Sequence, residues 1–368
     1  MKTNHSGAKY SAIVGISEKL AKLERETDAK FLKLNRGIPV VTNIDLSEII
    51  PLIDFNSPQI QIYPPNSGHI ALKEAINKYY FQNETLVDNI FITAGGINAL
   101  DLVFQTLNID KILLPEFYWG AYANIMKINN IEGGTYFSFD ELKSNAPSLT
   151  GSAVIICDPN NPVGNKYDDA MLLDVIKVLN DNNVVVIWDS PYRRIFFEAS
   201  EDDFYVRLAS FDNVVITDSF SKAIGLSGQR LGFVHSNNKE FKEELNINIL
   251  FKTNGINAFA QTLVTKILTT EVGQKAAHDF REKTKVDMLK NIQLLRDKKL
   301  LAEEFYDNSI PVGIFVILNK NEKELLDANI GSVSMSYFTQ KSKEYGEKFS
   351  RICIAVPHGE FKEYFDRL

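Results

Sequence analysis

Residues 214–236 read VVITDSFSKAIGLSGQRLGFVHS and place a lysine on a short polar turn between two apolar segments. The segments VVIT and LGFVH are rich in β-branched or aromatic residues, which predicts two strands of one buried sheet. Lys222 therefore lies where those strands end. If burial shields its ammonium from bulk water, its pKa falls, and a neutral amine there can form a Schiff base with an aldehyde. The alternative is a solvated loop lysine, so the interpretation depends on the surrounding chemistry.

The composition is that of a folded protein with more than one core. The chain has 368 residues, 45% of them hydrophobic and 24% charged, and a net charge of -7. We therefore expect two domains and no nucleic-acid or membrane partner. The only two cysteines, Cys157 and Cys353, lie in apolar segments, which fits a reducing cytoplasm better than disulfide bonds. The protein is therefore expected in the cytoplasm. The five histidines lack metal-ligand spacing, so we expect no metal site.

Strand-like segments alternate with helix-length segments through the middle of the chain. This order predicts an α/β fold with one large, mostly parallel, helix-covered sheet. One strand is expected to be antiparallel, because only the short lysine turn separates the last two candidates. The seven predicted strands are Ile90–Thr93, Lys111–Leu114, Gly134–Phe139, Ala153–Cys157, Val184–Trp188, Val214–Thr217 and Leu231–His235.

Both chain ends are predicted to contribute to a smaller α+β domain. Residues 17–31 have the pattern of an amphipathic helix, residues 310–318 and 350–356 have strand composition, and EFKEYFDRL suits a final helix. The predicted boundaries are 46–275 for the large domain, and 1–45 with 276–368 for the small domain.

Loops beyond the carboxyl ends of strands hold the ligands of open α/β sheets, and several such loops here carry unusual chemistry. Gly95 and Gly96 begin a helix, where free backbone amides and the helix dipole favour an anion. Tyr118 and Trp119 offer rings that could stack on a flat ligand. A simple glycine turn and ordinary core packing are the alternatives for these two loops.

Two further loops carry an amide and a carboxylate. Asn161 lies in the turn PNNPVG, whose prolines and glycine aim the amide in a set direction. Asp189 ends a very apolar strand, and burying its charge is costly unless a cation meets it. Arg230, eight residues after Lys222, can bind phosphate through two nitrogens. Plain turn chemistry and a helix cap are the alternatives for Asn161 and Asp189.

Taken together, the NNPVG turn, the DSPY segment and SFSKAIGLSGQRLGF resemble the class I/II aminotransferases, pyridoxal-phosphate enzymes of fold type I. The resemblance extends to LNRGIP near the start of the chain and to FSRICI near its end. It implies a large domain with a mostly parallel sheet and a small domain built from both chain ends.

The resemblance implies catalytic and cofactor-binding roles for residues on these loops. Lys222 would carry the cofactor as a Schiff base and move a proton, Asp189 would pair with the pyridine nitrogen, and Trp119 would stack on the ring. Asn161 and the catalytic Tyr192 would hydrogen-bond the 3′ oxygen. The implied phosphate ligands are Gly95, Gly96, Ile97, Ser219, Ser221 and Arg230.

The resemblance also implies substrate and subunit contacts. Arg351 would clamp the substrate carboxylate near Asn161, and Gly37 would leave room beside it. An isolated arginine on an exposed edge strand is the alternative for Arg351. Tyr63 would reach the phosphate of a neighbouring subunit, so we expect a homodimer.

The predicted function is transfer of an amino group from an L-amino acid to a 2-oxo acid. A lyase or decarboxylase on the same scaffold, or a non-catalytic cofactor-sensing domain, remains an alternative. Relatives commonly carry a proline-glycine pair where residues 333–338 read VSMSYF. Because that loop lines the substrate side of the site in relatives, the resemblance does not identify the substrate.

Overall fold

The computed structural model describes residues 1–368. In chain order its strands are β1 (Leu32–Lys33), β2 (Ile90–Thr93), β3 (Lys111–Pro115), β4 (Glu132–Tyr136), β5 (Ala153–Cys157), β6 (Asn165–Lys166), β7 (Val185–Asp189), β8 (Val214–Ser219), β9 (Gly232–His235), β10 (Ile310–Pro311), β11 (Phe315–Leu318), β12 (Ile330–Gly331), β13 (Val333–Ser334) and β14 (Ser350–Cys353).

The α-helices lie between and around these strands. They are α1 (Ala12–Thr27), α2 (Pro58–Gln61), α3 (Ile70–Phe81), α4 (Gly96–Thr106), α5 (Gly120–Ile128), α6 (Phe139–Asn145), α7 (Asp169–Asp181), α8 (Arg193–Phe196), α9 (Phe204–Leu208), α10 (Phe220–Ala223), α11 (Lys239–Lys252), α12 (Ala258–Thr269), α13 (Glu271–Asp297), α14 (Glu322–Asp327), α15 (Lys343–Gly346) and α16 (His358–Phe365). None combines the length and apolar character that a membrane-crossing helix requires.

The large sheet has seven strands in the order β2-β9-β8-β7-β5-β3-β4. Its strands are parallel except for β9, which pairs antiparallel with both β2 and β8. The prediction of a mostly parallel seven-stranded sheet with one antiparallel strand is confirmed. The predicted bounds of the other six strands agree within two residues, and the clearest error is at β4, which was predicted to cover 134–139. It ends at Tyr136 because the Ser138 side chain accepts a hydrogen bond from the Glu141 amide and starts α6.

Apolar cores fill both faces of the large sheet. One core joins the sheet to α3, α7 and α12, and the other joins it to α4, α5 and α11. Strands buried on both faces explain the nearly continuous apolar segments in the sequence. The helices thus leave the carboxyl ends of the parallel strands as the accessible edge.

A second sheet contains three antiparallel strands in the order β11-β14-β13. Its core combines Ile16 and Leu20 of α1 with side chains from α13, α16 and the strands themselves. Both chain ends therefore contribute to one smaller α+β unit, as predicted. The predicted domain boundaries remain a prediction, and α13 runs without a break across residues 275 and 276.

The bounds predicted for the first helix are wrong. The sequence pattern suggested residues 17–31, whereas α1 covers Ala12–Thr27. The helix ends where Asp28 adopts a left-handed conformation, with φ of 55°, which an aspartate tolerates better than most residues. The final helix, α16, begins at His358, two residues before the predicted segment.

The turn after β5 connects the two sheets. The Val312 amide donates to the Gly164 carbonyl at 3.0 Å, and β6 pairs with β10. Gly164 has φ of +72°, and a Cβ atom there would lie 1.8 Å from the Phe315 carbonyl oxygen. Glycine is therefore required by both the backbone conformation and the contact with β11.

We predict that Gly164→Ala lowers the free energy of unfolding by about 1–3 kcal/mol, because the added methyl group forces backbone atoms apart. Denaturant titration followed by circular dichroism measures the change. Gly359→Ala is the matched control, since a Cβ atom at that helical position meets nothing within 4 Å. An unchanged unfolding midpoint in Gly164→Ala would contradict the assigned contact.

Candidate active site

A cavity of about 380 Å³ lies at the carboxyl ends of the large-sheet strands, facing the small sheet. Most of the predicted site residues meet there, although they come from distant parts of the chain. Those that line the cavity are Gly37, Gly96, Ile97, Trp119, Asn161, Asp189, Tyr192, Ser219, Ser221, Lys222, Arg230 and Arg351. Gly95 lies directly beside this cavity against Arg230, and Tyr63 lies outside it.

Lys222 is positioned by the short helix α10, which directly follows β8. Its Nζ atom donates a hydrogen bond to the carbonyl oxygen of Gly37. Burial lowers the pKa of Lys222 to about 8, and the positive charge of Arg230 acts in the same direction. The expectation of a shielded lysine with a reduced pKa is therefore supported, in preference to a solvated loop residue.

Asp189 ends β7 and is buried without a cationic partner in the protein. One carboxylate oxygen accepts a hydrogen bond from the Tyr122 hydroxyl at 2.5 Å, and the other accepts one from Thr217 at 3.2 Å. Burial raises the pKa of Asp189 to about 6, while both hydrogen bonds oppose that rise. The cation that the sequence led us to expect beside this carboxylate is not supplied by the chain.

Arg351 lies on β14, the central strand of the small sheet, and is fully buried. Its guanidinium donates to the Asn161 Oδ1 atom at 3.1 Å and to the Asn35 carbonyl, while its Nε has no partner. Burial lowers the pKa of Arg351 to about 10, and no carboxylate pairs with it. The alternative of an exposed edge-strand arginine is therefore wrong, and a buried guanidinium without an acidic partner suits an anionic ligand.

Asn161 connects Arg351 to a tyrosine on another loop. Its amide nitrogen donates to the Tyr192 hydroxyl at 3.2 Å, while its oxygen faces Arg351. The Tyr192 ring packs edge-on against Phe315, with ring centres 5.6 Å apart. These contacts orient the side chains that project from the loops after β5 and β7.

The opposite end of the cavity has the donors of an anion site. Helix α4 begins at Gly96 without a side-chain cap, so its first amides are available. Gly95 has φ of +84°, and a Cβ atom there would lie 2.8 Å from a terminal nitrogen of Arg230. A second Arg230 nitrogen lies 3.5 Å from the Ser221 hydroxyl. Amides, hydroxyls and a guanidinium therefore converge, as phosphate binding requires.

The aromatic candidates occupy different environments. Trp119 lines the cavity with its ring perpendicular to Tyr122, whereas Tyr118 is buried outside it. Tyr63 is 82% exposed on the protein surface. Trp119 is therefore the residue of the adjacent pair that is placed to stack on a ligand.

The structure gives a different reason for Gly37 than the one expected. A Cβ atom at this position would lie 2.2 Å from the Cζ atom of Phe315. The ring of Phe315 in turn supports the Arg351 guanidinium, whose central carbon is 4.2 Å from the ring centre. Gly37 thus makes room for Phe315, and its expected role in leaving space beside the substrate carboxylate stays a prediction.

Tyr122 and Arg36 line the cavity although neither was predicted to do so from the sequence. Tyr122 follows Trp119 by three positions at the start of α5, a spacing that puts both side chains on one helix face. That spacing was the available signal for Tyr122. Arg36 had no comparable signal, because it is a single charge in a loop.

The chain belongs to the family described as aminotransferase class I and II, whose family model matches residues 43–368. Among curated proteins it is similar to the aspartate aminotransferase of Pyrococcus horikoshii, with 25% identity over 261 residues, 64% of this chain and 65% of that protein. It is also similar to the histidinol-phosphate aminotransferase of Flavobacterium psychrophilum, with 31% identity over 211 residues, 53% of this chain and 56% of that protein. The chain thus spans less than two thirds of the length of these two relatives.

Solved structures show the same fold over the whole chain. The aspartate aminotransferase of Thermus thermophilus with maleate superposes with a TM-score of 0.83 at 18% identity, covering 100% of this chain and 99% of that chain. A Methanococcus jannaschii protein, MJ0684, superposes with a TM-score of 0.82 at 18% identity, and the superposition covers 100% of this chain and 98% of that chain. The predicted family and fold type I are confirmed.

We predict that Tyr122→Phe raises the pKa of Asp189 further above its ordinary value, because the carboxylate loses its shorter hydrogen bond. The carboxyl ¹³C resonance of Asp189, assigned by its loss in Asp189→Asn, measures this pKa in the protein without ligand. Tyr118→Phe removes a similarly buried hydroxyl outside the cavity and serves as the control. Equal Asp189 pKa values in both variants would exclude a role for Tyr122.

Proposed function

We propose that this chain is an aminotransferase that uses pyridoxal phosphate to move an amino group from an L-amino acid to a 2-oxo acid. The observation that carries the proposal is the pairing in one cavity of Lys222, whose pKa is lowered to about 8, with a buried Asp189 that lacks a protein cation. Membership in the aminotransferase class I and II family supports the same function.

The phosphate end of the cavity fits this cofactor. Gly95 keeps the space that a Cβ atom would take from Arg230, and the amides of Gly96 and Ile97 are free at the start of α4. Ser219 and Ser221 contribute side chains to the same end of the cavity. A doubly charged phosphate would satisfy these donors and the fixed charge of Arg230.

The remaining cavity fits a flat, cationic ring. When bound, pyridoxal phosphate supplies an aldehyde that condenses with amines and a pyridine ring that withdraws electrons. Asp189 would hold a proton on the ring nitrogen, and Trp119 would stack on the ring face. Asn161 and Tyr192, already joined by a hydrogen bond of 3.2 Å, would meet the ring oxygen.

Lys222 would supply both covalent attachment and proton transfer. With a pKa of about 8, a useful fraction of its amine is neutral near pH 7 and can attack an aldehyde. With a substrate bound, the Nζ atom, when neutral, would be placed to accept the proton from the substrate α-carbon and hold it for return. Its contact with the Gly37 carbonyl keeps this nitrogen at the centre of the cavity.

Arg351 would bind the substrate carboxylate. It is buried, carries an unpaired Nε donor and has no acidic partner, so a bidentate carboxylate would satisfy it. Asn161 accepts a hydrogen bond from Arg351 and donates one to Tyr192. The carboxylate end and the ring-oxygen end of the site would therefore be coupled through one amide.

We predict that borohydride reduction of the protein reconstituted with pyridoxal phosphate attaches the cofactor to Lys222. Without reduction, an amino donor should convert the bound cofactor to pyridoxamine phosphate in a single half-reaction. Mass spectrometry and visible absorbance measure these steps. Lys222→Arg should abolish both. Lys73→Arg should retain both, because Lys73 is another buried lysine that lies outside the cavity. Release of carbon dioxide or ammonia without that conversion would favour a lyase or decarboxylase instead.

We further propose a homodimer in which Tyr63 completes the partner's site. Tyr63 and Phe251 are 82% and 81% exposed, unusual values for such large rings. Pro64 lies against Gly255, where a Cβ atom would approach it to 2.9 Å, so the two exposed segments adjoin. An apolar surface of this kind supports a subunit interface.

We predict that mixing Tyr63→Ala with Lys222→Ala subunits restores activity beyond the sum of the two parents. One site of the mixed dimer would combine Lys222 of one subunit with Tyr63 of the other, so up to about one quarter of wild-type activity is expected from random pairing. Steady-state rates after denaturation and refolding together measure it. No recovery, although native mass spectrometry detects mixed dimers, would mean that Tyr63 does not act across subunits.

A further inference from the structure

Arg36 is a cavity-lining cation that the proposed mechanism leaves without a role. Its neighbours in sequence are engaged: Lys33 pairs with Glu24, and Asn35 donates to α1. The Arg36 guanidinium itself forms no hydrogen bond or ion pair with the chain. An arginine beside a binding cavity, with all its donors available, is suited to a ligand oxyanion.

The backbone on either side of Arg36 fixes its location relative to the proposed reaction centre. The carbonyl of Asn35 accepts a hydrogen bond from Arg351, and the carbonyl of Gly37 accepts one from Lys222. Arg36 is therefore bracketed by the proposed carboxylate ligand and the reactive amine, since adjacent Cα atoms are about 3.8 Å apart. A substrate held by both groups would place its side chain, the third substituent of the α-carbon, within this neighbourhood.

The charges of the cavity are strongly unbalanced. Four cationic side chains line it, Arg36, Lys222, Arg230 and Arg351, against one acidic side chain, Asp189. Asp189 faces Tyr122 and Thr217 through its hydrogen bonds, so it does not neutralise Arg36. The cofactor phosphate would balance Arg230 and the substrate α-carboxylate would balance Arg351, which leaves Arg36 in excess.

The walls near Arg36 strengthen this argument. Ile13 of α1 and Ile38 line the same cavity as Arg36, which is itself an exposed residue. Apolar walls reduce the effective dielectric constant, so an ion pair formed there is stronger than one in open solvent. The exposed part of Arg36 still allows a ligand to approach from the cavity mouth.

From this placement we infer that Arg36 is a specificity-determining residue that binds a second oxyanion, a carboxylate or phosphate, on the substrate side chain. Preferred substrates would be acidic amino acids or amino acids that carry a phosphate group. This inference rests on the proposed aminotransferase function, whose substrate it specifies.

The test compares donors that differ in this one group. Half-reaction rates are measured with aspartate, glutamate and O-phosphoserine against alanine and 2-aminobutyrate, in wild type, Arg36→Gln and Arg36→Lys. We expect the ratio of kcat/KM for the acidic donors to that for the neutral donors to fall by about 10- to 100-fold in Arg36→Gln, because charge-assisted hydrogen bonds are lost. Arg36→Lys should recover part of the ratio, since it keeps the charge without the fork.

Binding of unreactive probes provides a readout that does not depend on turnover. Calorimetry with succinate, 3-phosphonopropionate and butyrate should show that Arg36→Gln removes the preference for the first two, and their relative affinities distinguish a carboxylate from a phosphate site. Arg25→Gln is the matched control, because it removes an equal charge from the last turn of α1, outside the cavity.

The outcomes separate failure of this inference from failure of the proposed function. If neutral donors react and Arg36→Gln leaves the donor ratio and probe preference unchanged, the inference is overturned while the aminotransferase proposal stands. A wild-type preference for apolar donors would overturn it as well, since Ile13 and Ile38 would then define the side-chain site. If no donor supports a half-reaction, the proposed function fails first.

Discussion

Buried charges without protein counter-ions are the constraint on which the rest of this structure depends. Lys222, Asp189 and Arg351 are each shielded from water, and none forms an ion pair with another side chain. Such groups are costly to bury, so their retention in one cavity indicates that ligands of opposite charge complete them. The shifted pKa values of all three follow primarily from that burial. The charged groups that suit this site for binding and catalysis therefore lower the stability of the fold without ligand.

The same chain pairs the buried Arg193 with acidic side chains at a place where no ligand is needed. Arg193, which directly follows Tyr192, binds Asp202 and Asp169 through nitrogen–oxygen distances of 2.7 Å. The carboxylate of Asp158 also lies nearby, at the start of the turn that carries Asn161. This network of ion pairs connects the loops after β5 and β7. The contrast with Arg351 distinguishes a structural arginine from one that is available for binding.

The two sheets divide the tasks of the cavity. The large sheet supplies the groups suited to the cofactor, and the small sheet supplies Arg351 through β14. Contacts at Gly164 and Phe315 hold the sheets together close to Asn161, which hydrogen-bonds residues from both sides. Under the proposed function, a substrate carboxylate on Arg351 would lie one amide away from the residues that would hold the cofactor ring. Arg36 belongs to the segment between Asn35 and Gly37, which contacts Arg351 on one side and Lys222 on the other.

The amino-acid sequence alone determined the seven-stranded sheet and its antiparallel strand, because apolar periodicity is a local property. Strand-end motifs indicated Lys222, Asp189 and Asn161, and the resemblance to the aminotransferase family supplied most of the other cavity residues. The sequence did not determine the end of α1, which depends on the left-handed conformation of Asp28. Only tertiary structure assigned Tyr122 to Asp189, gave Gly37 its role beneath Phe315, and left Arg36 unpaired within the cavity. Those features arise from packing between segments far apart in the chain, which no local pattern records.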